Sequence, residues 1–301
     1  MGNSGNILDL HIVRDMERLI FARSTMKIYL SLLLSVILTV NLCSQTGSLP
    51  TEPKHKKIVR NGELYFSWGY NTEWYTLSDI HVSQPALGNN FTFLNVSAHD
   101  HRGWDDQFFR KQLTIPQYNY RAGYFFNEKQ DWGLELNFDH AKYVVINDLP
   151  VHLKGMLKGR NVDTMVITGG STLQYMLNNG ANFFQFNLVK KLKIVHAYSE
   201  KLQFDCLLKA GVGPVTPHVQ NTIFGHDNNP NFQFGGWDAD LDVSFRLTIL
   251  KHFFLEYQSK VVYGRYFGLK VYDGLADQHF GCFEMALVAG WTFKLKDKKK
   301  H

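Results

Sequence analysis

The chain has 301 residues, of which 45% are apolar, 14% aromatic and 20% charged, with a formal net charge of +5. That apolar content excludes wholesale disorder, and a single long apolar run excludes a helical multi-span membrane protein. Glu52 to Arg60 carries +3, Lys294 to His301 carries +4 and the leader +1, so the body is slightly acidic and offers no basic face for nucleic acid.

The apolar run Ile28 to Leu42 follows Met26-Lys27 and precedes Cys43-Ser44-Gln45. This is the make-up of a secretory signal peptide, and it is short for a membrane span. The expected organisation is an extension at 1–25 ahead of a true start at Met26, a signal peptide at 26–44, a periplasmic N-terminal segment at 45–62, a barrel at 63–295 and a basic periplasmic tail at 296–301. Only Cys206 and Cys282 follow the signal, on opposite phases of strands that are not neighbours, so no disulfide is expected.

Period-two alternation then dominates. Leu64, Phe66, Trp68 and Tyr70 alternate with polar or small residues, as do Tyr118 to Phe126, Trp132 to Phe138, Phe184 to Leu188 and Leu202 to Ala210. From Gly236 to Leu250, Trp237, Ala239, Leu241, Val243, Phe245, Leu247 and Ile249 alternate with Asp238, Asp240, Asp242, Ser244, Arg246 and Thr248, a pattern no helix face accommodates. Leu255 to Tyr263 and Phe283 to Phe293 complete eight strands. Their length suits a tilted bilayer crossing better than a soluble sheet.

Short connections at Asn127 to Gln130, Ala197 to Glu200 and Lys251-His252 alternate with long ones near Thr76 to Leu113, Val145 to Ala181, Gly213 to Gly235 and Gly264 to Phe280. Strand parity puts the short turns and both termini on one side and the long loops on the other. The predicted fold is therefore an all-β, eight-stranded, antiparallel, up-and-down transmembrane barrel, porin-like, in the outer membrane of a Gram-negative-type bacterium.

An eight-stranded barrel is only wide enough for side chains to fill. The polar phase is expected to form a lumen ion-pair network of Glu135, Asp139, Arg121, Asp205, Lys209, Asp240, Asp242, Arg246, Glu256, Lys260 and Glu284. The outward rings Trp68, Tyr70, Tyr120, Trp132, Trp237, Tyr257, Tyr263, Trp291 and Phe293 are expected to form membrane aromatic belts. Asp238, Asp240 and Asp242 share a strand face and could collect a divalent cation, but pairing with Arg246, Lys260 and Lys209 is the simpler reading. His99-Asp100-His101 is the tightest histidine set, and a Ser/His/Asp arrangement is conceivable from Ser171, His152 or His140 with Asp139. Nothing around them fixes a nucleophile or a ligand geometry, so no catalytic residue, metal or cofactor is expected.

The stretches Ser67-Trp68-Gly69-Tyr70-Asn71, Trp74-Tyr75, Ser78-Asp79-Ile80-His81, Thr114 to Tyr124 and Asp139 to Val144, with Phe224-Gly225, Asn231-Phe232 and Gly290-Trp291-Thr292-Phe293, resemble a Bacteroidetes-type family of outer-membrane β-barrel proteins of uncharacterised function. Leu177-Asn178-Asn179-Gly180 stands where that family carries a His-Thr-Asp/Asn-Gly-like segment similar to the motif of lipid A deacylase barrels, and here Leu177 and Asn178 replace its histidine and hydroxyl. The resemblance implies location and fold rather than activity. The expected role is non-enzymatic: structural, surface-binding or accessory to an envelope complex. The alternatives are a barrel-type lipid acyl hydrolase and a narrow channel for small solutes. Expected partners are outer-membrane lipids, the barrel-assembly machinery and envelope-complex proteins, with no nucleic acid.

Overall fold

The computed structural model describes residues 60–101, 117–126, 131–177, 180–197 and 201–296. The expected extension and signal peptide lie outside these residues, as do the basic tail from Asp297, two of the short turns and all but the last part of the N-terminal segment.

Strand β1 (Arg60–Tyr75) leads into β2 (Ser78–Gln84), β3 (Asn89–Val96) and the short β4 (Ala98–His99). A hairpin of β5 (Tyr118–Phe125) and β6 (Trp132–Asp139) follows, then β7 (Tyr143–Val145), β8 (Pro150–Leu157), β9 (Arg160–Ile167) and β10 (Leu173–Leu177). The chain continues through β11 (Phe183–Ala197), β12 (Leu202–Pro214), β13 (Gln220–Ile223) and β14 (His226–Asn228). It ends with β15 (Gly236–Ile249), β16 (Phe253–Val271) and β17 (Gly274–Lys296).

Eight of these close a ring in the order β1, β5, β6, β11, β12, β15, β16, β17, with β17 pairing back onto β1. Every pairing is antiparallel, so the barrel has no free edge. The outward residue Leu64 opposes Tyr124, which opposes Leu134, then Leu188, Ala210, Leu241, Val261, Phe283 and finally Trp74. One circuit thus returns to the same strand ten residues further on, from Leu64 to Trp74. That shear tilts the strands by about 40° and leaves an interior that side chains fill.

The wall is inverted relative to a soluble protein. Phe186, Leu188, Val212, Leu241 and Leu287 are 48–63% exposed on the outside, while Arg121, Glu135, Asp139, Lys209 and Lys260 are at most 3% exposed inside. Apolar out and polar in is the organisation of a transmembrane barrel, and it confirms the fold read from the alternation. The β15–β16 turn is tight: Leu250 and Lys251 both have positive φ (53° and 71°), matching the right-handed strand twist.

The four long connections differ from expectation. They are not open loops but mostly strands. β2, β3, β8 and β9 extend the barrel wall from β17, and β4, β7, β10, β13 and β14 form a separate five-stranded sheet. The expected loop Gly264 to Phe280 is a continuation of β16 and β17 as a hairpin. A bulge at Tyr266/Leu269, with Gly268 at φ 63°, shifts the side-chain phase there and breaks the alternation that marks the lower strand.

The two sheets enclose one apolar core. Ile80, Val82, Phe91, Phe93, Leu153, Leu269 and Phe280 come from the extended wall, and Tyr143, Val145, Leu173, Tyr175, Leu177 and Ile223 from the five-stranded sheet. The cap is a small sandwich built at the end of the barrel remote from the start of β1 and the end of β17. Along β17 the inward face changes from Glu284 to Cys282 and Phe280, and along β16 from Lys260 to Val262 and Tyr266. Lumen and cap meet at that level.

Candidate functional site

The lumen carries a continuous charge network. Arg121 Nη2 lies 3.2 Å from Asp139 Oδ1 and 3.9 Å from Glu284 Oε1, and its Nε 4.0 Å from Glu135 Oε1. Lys209 Nζ bridges Glu256 Oε1 at 2.9 Å, Glu135 Oε2 at 3.1 Å and Asp242 Oδ2 at 3.5 Å. Lys260 Nζ contacts Asp139 and, at 3.1 Å, Glu284. Arg246 Nε donates to Glu256 Oε2 at 2.6 Å, and Asp205 takes His196 Nε2 at 2.7 Å. Each of these anions therefore has a positive or hydrogen-bonding neighbour, which is what permits burial of this much charge.

Asp240 departs from the expected network. It is buried, yet it makes no ion pair or hydrogen bond among the described residues, because the neighbouring Lys260 is taken by Asp139, Glu284 and Gln185. Asp238 accepts only from Gln185 Nε2, at 2.7 Å.

Both ends of the lumen are closed. At the end where β1 starts and β17 ends, Tyr65, Phe125, Val189, Leu207 and Phe254 form a buried apolar cluster. The Arg246 guanidinium sits 4.2 Å from the Tyr65 ring and 4.1 Å from that of Phe254, and Lys191 Nζ lies 3.9 Å over Phe125. Gly123 makes room for the Tyr65 ring, with which any Cβ there would collide. Tyr65 then donates to Glu135 Oε2 at 2.7 Å, tying the plug to the network. At the other end the cap core covers the opening.

The rings expected in belts face outward. Tyr120, Trp132, Trp237, Tyr257, Tyr263, Trp291 and Phe293 are 41–49% exposed, and Trp68 and Tyr70 are half-buried against each other with ring centroids 5.0 Å apart. Trp291 stacks on His252 at the short-turn end (5.7 Å, 5°), and Trp237 packs on Tyr263 at the cap end (5.7 Å). Tyr257 lies on β16 between these levels, opposite Phe245 and Leu287. Lys190 Nζ stands 4.8 Å over the Trp132 ring at the start of β6.

The hydrolytic residue types do not converge. Asp139 points into the lumen towards Arg121 and Lys260. His140 stacks on Tyr118 (4.9 Å, 19°) and shares a 2.9 Å hydrogen bond with Asn182 Oδ1, and burial lowers its pKa below the usual histidine value. His152 Nε2 meets Asp163 Oδ1 at 2.5 Å on the exposed face of the β8–β9 hairpin. His99 Nδ1 contacts the Asp100 carbonyl, and Asp100 accepts from Thr72 and Glu73 N. Leu177 is a core residue of the cap, and Asn178 lies outside the described residues.

The five-stranded sheet carries a polar groove on its outer face, in segments expected to be loops. Its cavity of about 330 Å³ is lined by Gln174, Met176, Gln220, Asn221, Thr222, Asp227, Asn228 and Asn229. Antiparallel register sets Gln174 beside Thr222 and Thr222 beside Asp227. Thr222 Oγ1 donates to Asp227 Oδ1 at 2.6 Å. The sequence carried little signal for the groove: Gln174 is the one polar residue in Leu173 to Leu177, and Gln220-Asn221-Thr222 has three polar residues in a row, so the alternation appears only in the burial of the folded strands.

No protein-family profile matches the chain, and no curated protein matches it in sequence. Among solved structures it is similar to Ail, the attachment invasion locus protein of Yersinia pestis, at 15% identity over 77% of this chain and 99% of that one, with a TM-score of 0.30. It is also similar to the outer membrane protein AlkL in lipid bilayers, at 12% identity over 85% and 100%, TM-score 0.34. A third is the outer membrane protease OmpT from Escherichia coli, at 10% identity over 77% and 97%, TM-score 0.36. A likeness this distant decides nothing for this chain, whose barrel class rests on its own closed ring of strand pairs.

Proposed function

We propose that this chain is an outer-membrane β-barrel of a Gram-negative-type bacterium that anchors a folded recognition module at the cell surface, serving binding rather than transport or catalysis. The observation that carries the reading is the closure of the lumen at both ends, by the Tyr65–Phe125–Phe254 plug and by the cap core, beneath a sandwich with a polar groove. A barrel filled by ion pairs is a rigid anchor, and surface elements on a rigid scaffold are where binding residues concentrate.

The groove suggests the class of ligand. Carboxamides and a carboxylate on a flat sheet face present paired donors and acceptors suited to vicinal hydroxyls, so a saccharide is the ligand proposed. The test is binding of oligosaccharides to the detergent-purified barrel, with Asp227→Ala and Gln174→Ala as variants. Saturable binding that both variants weaken supports the reading. No binding to any saccharide overturns the ligand class, steady conductance in planar bilayers overturns the sealed anchor, and recovery as a soluble periplasmic protein overturns the location.

A further inference from the structure

Among the described residues, ten carboxylates are buried in the barrel and its mouth against six Lys and Arg side chains. A closed interior does not tolerate that imbalance as bare charge. The imbalance is sharpest at Asp238 and Asp240 on β15, which are 0% and 4% exposed. One oxygen of Asp238 and both of Asp240 have no hydrogen-bond partner.

Gly211 on β12 lies between Asn187 on β11 and Asp240 on β15, in register with both. A Cβ at Gly211 would overlap Asn187 Oδ1 and lie 2.5 Å from Asp240 Oδ1, so the two oxygens converge over the glycine. Asn187 donates through Nδ2 to Glu135 Oε1 at 3.3 Å, which turns its Oδ1 to this side, and that oxygen also lacks a partner. Two acceptor oxygens without hydrogen-bond partners among the described residues thus face each other over the glycine. Oxygen ligands of mixed carboxylate and amide type suit a hard cation. No three His, Cys, Asp or Glu side chains converge among the described residues, so water must complete the shell.

We propose that Asp240, with Asp238 and the Asn187 amide oxygen, holds one hydrated calcium ion over Gly211, captured as the barrel closes. Glycine at 211 lets the Asn187 and Asp240 oxygens approach each other where a Cβ would stand, and the calcium offsets two of the unmatched negative charges. Because plug and cap seal the lumen, the ion is retained in the folded barrel rather than exchanged.

The test is to refold the full chain in detergent with calcium chloride, pass it through metal-free gel filtration and measure calcium by mass spectrometry. The expected result is about one retained equivalent, lost in Asp240→Asn and kept in Asp205→Asn, an acid of the same lumen that pairs with His196. Should Asp240→Asn fail to fold, Asp238→Asn gives the same readout as a reduced stoichiometry. A calcium-free wild type overturns the proposal, as does equal calcium in wild type and the foldable variant, since the excess charge is then met by protons or by binding elsewhere.

Discussion

Arg246 donates to Glu256 at 2.6 Å while its guanidinium lies between the rings of Tyr65 and Phe254. One side chain therefore joins the charge network to the apolar plug. Replacing Arg246 by Ala leaves Glu256 in the lumen with Lys209 as its remaining ion-pair partner and removes the centre of the plug. The expected cost is about 3–5 kcal/mol, the usual penalty for breaking a buried pair. Urea unfolding in lipid vesicles checks it, and single-channel recording on the same variant is expected to show conductance that the wild type lacks.

Phe280 is the hub of the cap core, stacked on Tyr143 (4.8 Å) and Tyr266 (5.1 Å) and edge-on to Tyr75 (5.3 Å). Phe280→Ala removes a fully buried ring at a cost of about 3–5 kcal/mol. The loss falls on the cap, since the lumen network below Cys282 does not touch this ring. Limited proteolysis of whole cells is expected to cut the cap of the variant, while the barrel keeps its heat-modifiable migration on gels.

Leu241 and Leu250 are both leucines on β15 or its turn and both strongly exposed, at 62% and 71%. Leu241 lies in the middle of the outer wall and Leu250 in the short turn. Arginine on the lipid face costs about 2–4 kcal/mol at mid-bilayer and about 0–1 near the interface. Leu241→Arg is therefore expected to lower the yield of folded barrel sharply and Leu250→Arg hardly at all. A soluble β-protein would treat the two alike, so the contrast in vesicle refolding tests membrane insertion directly.

His140, just past β6 at the cap end, has its pKa lowered from 6.5 by burial, against the raising effect of Asn182. The unfolded chain therefore binds a proton at a pH where the folded one does not. Stability from this group is full above the unfolded value and falls as pH drops through 6.5 towards the folded value. Melting between pH 5 and 8 is expected to show a loss on the acid side that His140→Gln reduces.

How much of this was legible in the residues depends on which solvent each strand faces. The alternation of Trp237 to Ile249 with Asp238 to Thr248 specifies a strand, its two faces and its membrane setting, because a period of two with apolar residues outside and acids inside fits a barrel wall alone. The eight ring strands followed from that, and so did the placing of Arg121, Lys209, Arg246 and Lys260 on the inner face. The cap did not, because its strands are short, carry a bulge at Gly268 and reverse the rule, with apolar residues such as Phe280 and Tyr266 pointing inward where the lower wall places Glu284 and Lys260.

The sequence by itself determined the local pattern: strand phase, the outward rings and the stock of buried charge. Only the tertiary structure decided how that charge is shared. Lys260 could face Asp240 as readily as Asp139 from sequence alone. The shear of ten residues sets which side chains share a level in the lumen, and among the described residues it leaves Asp240 without a hydrogen-bond partner while Asp139 and Glu284 take the lysine. The same tertiary packing turned four apparent loops into a lid, because apolar strand faces from separate segments bury one another only after the ring has closed and brought them together.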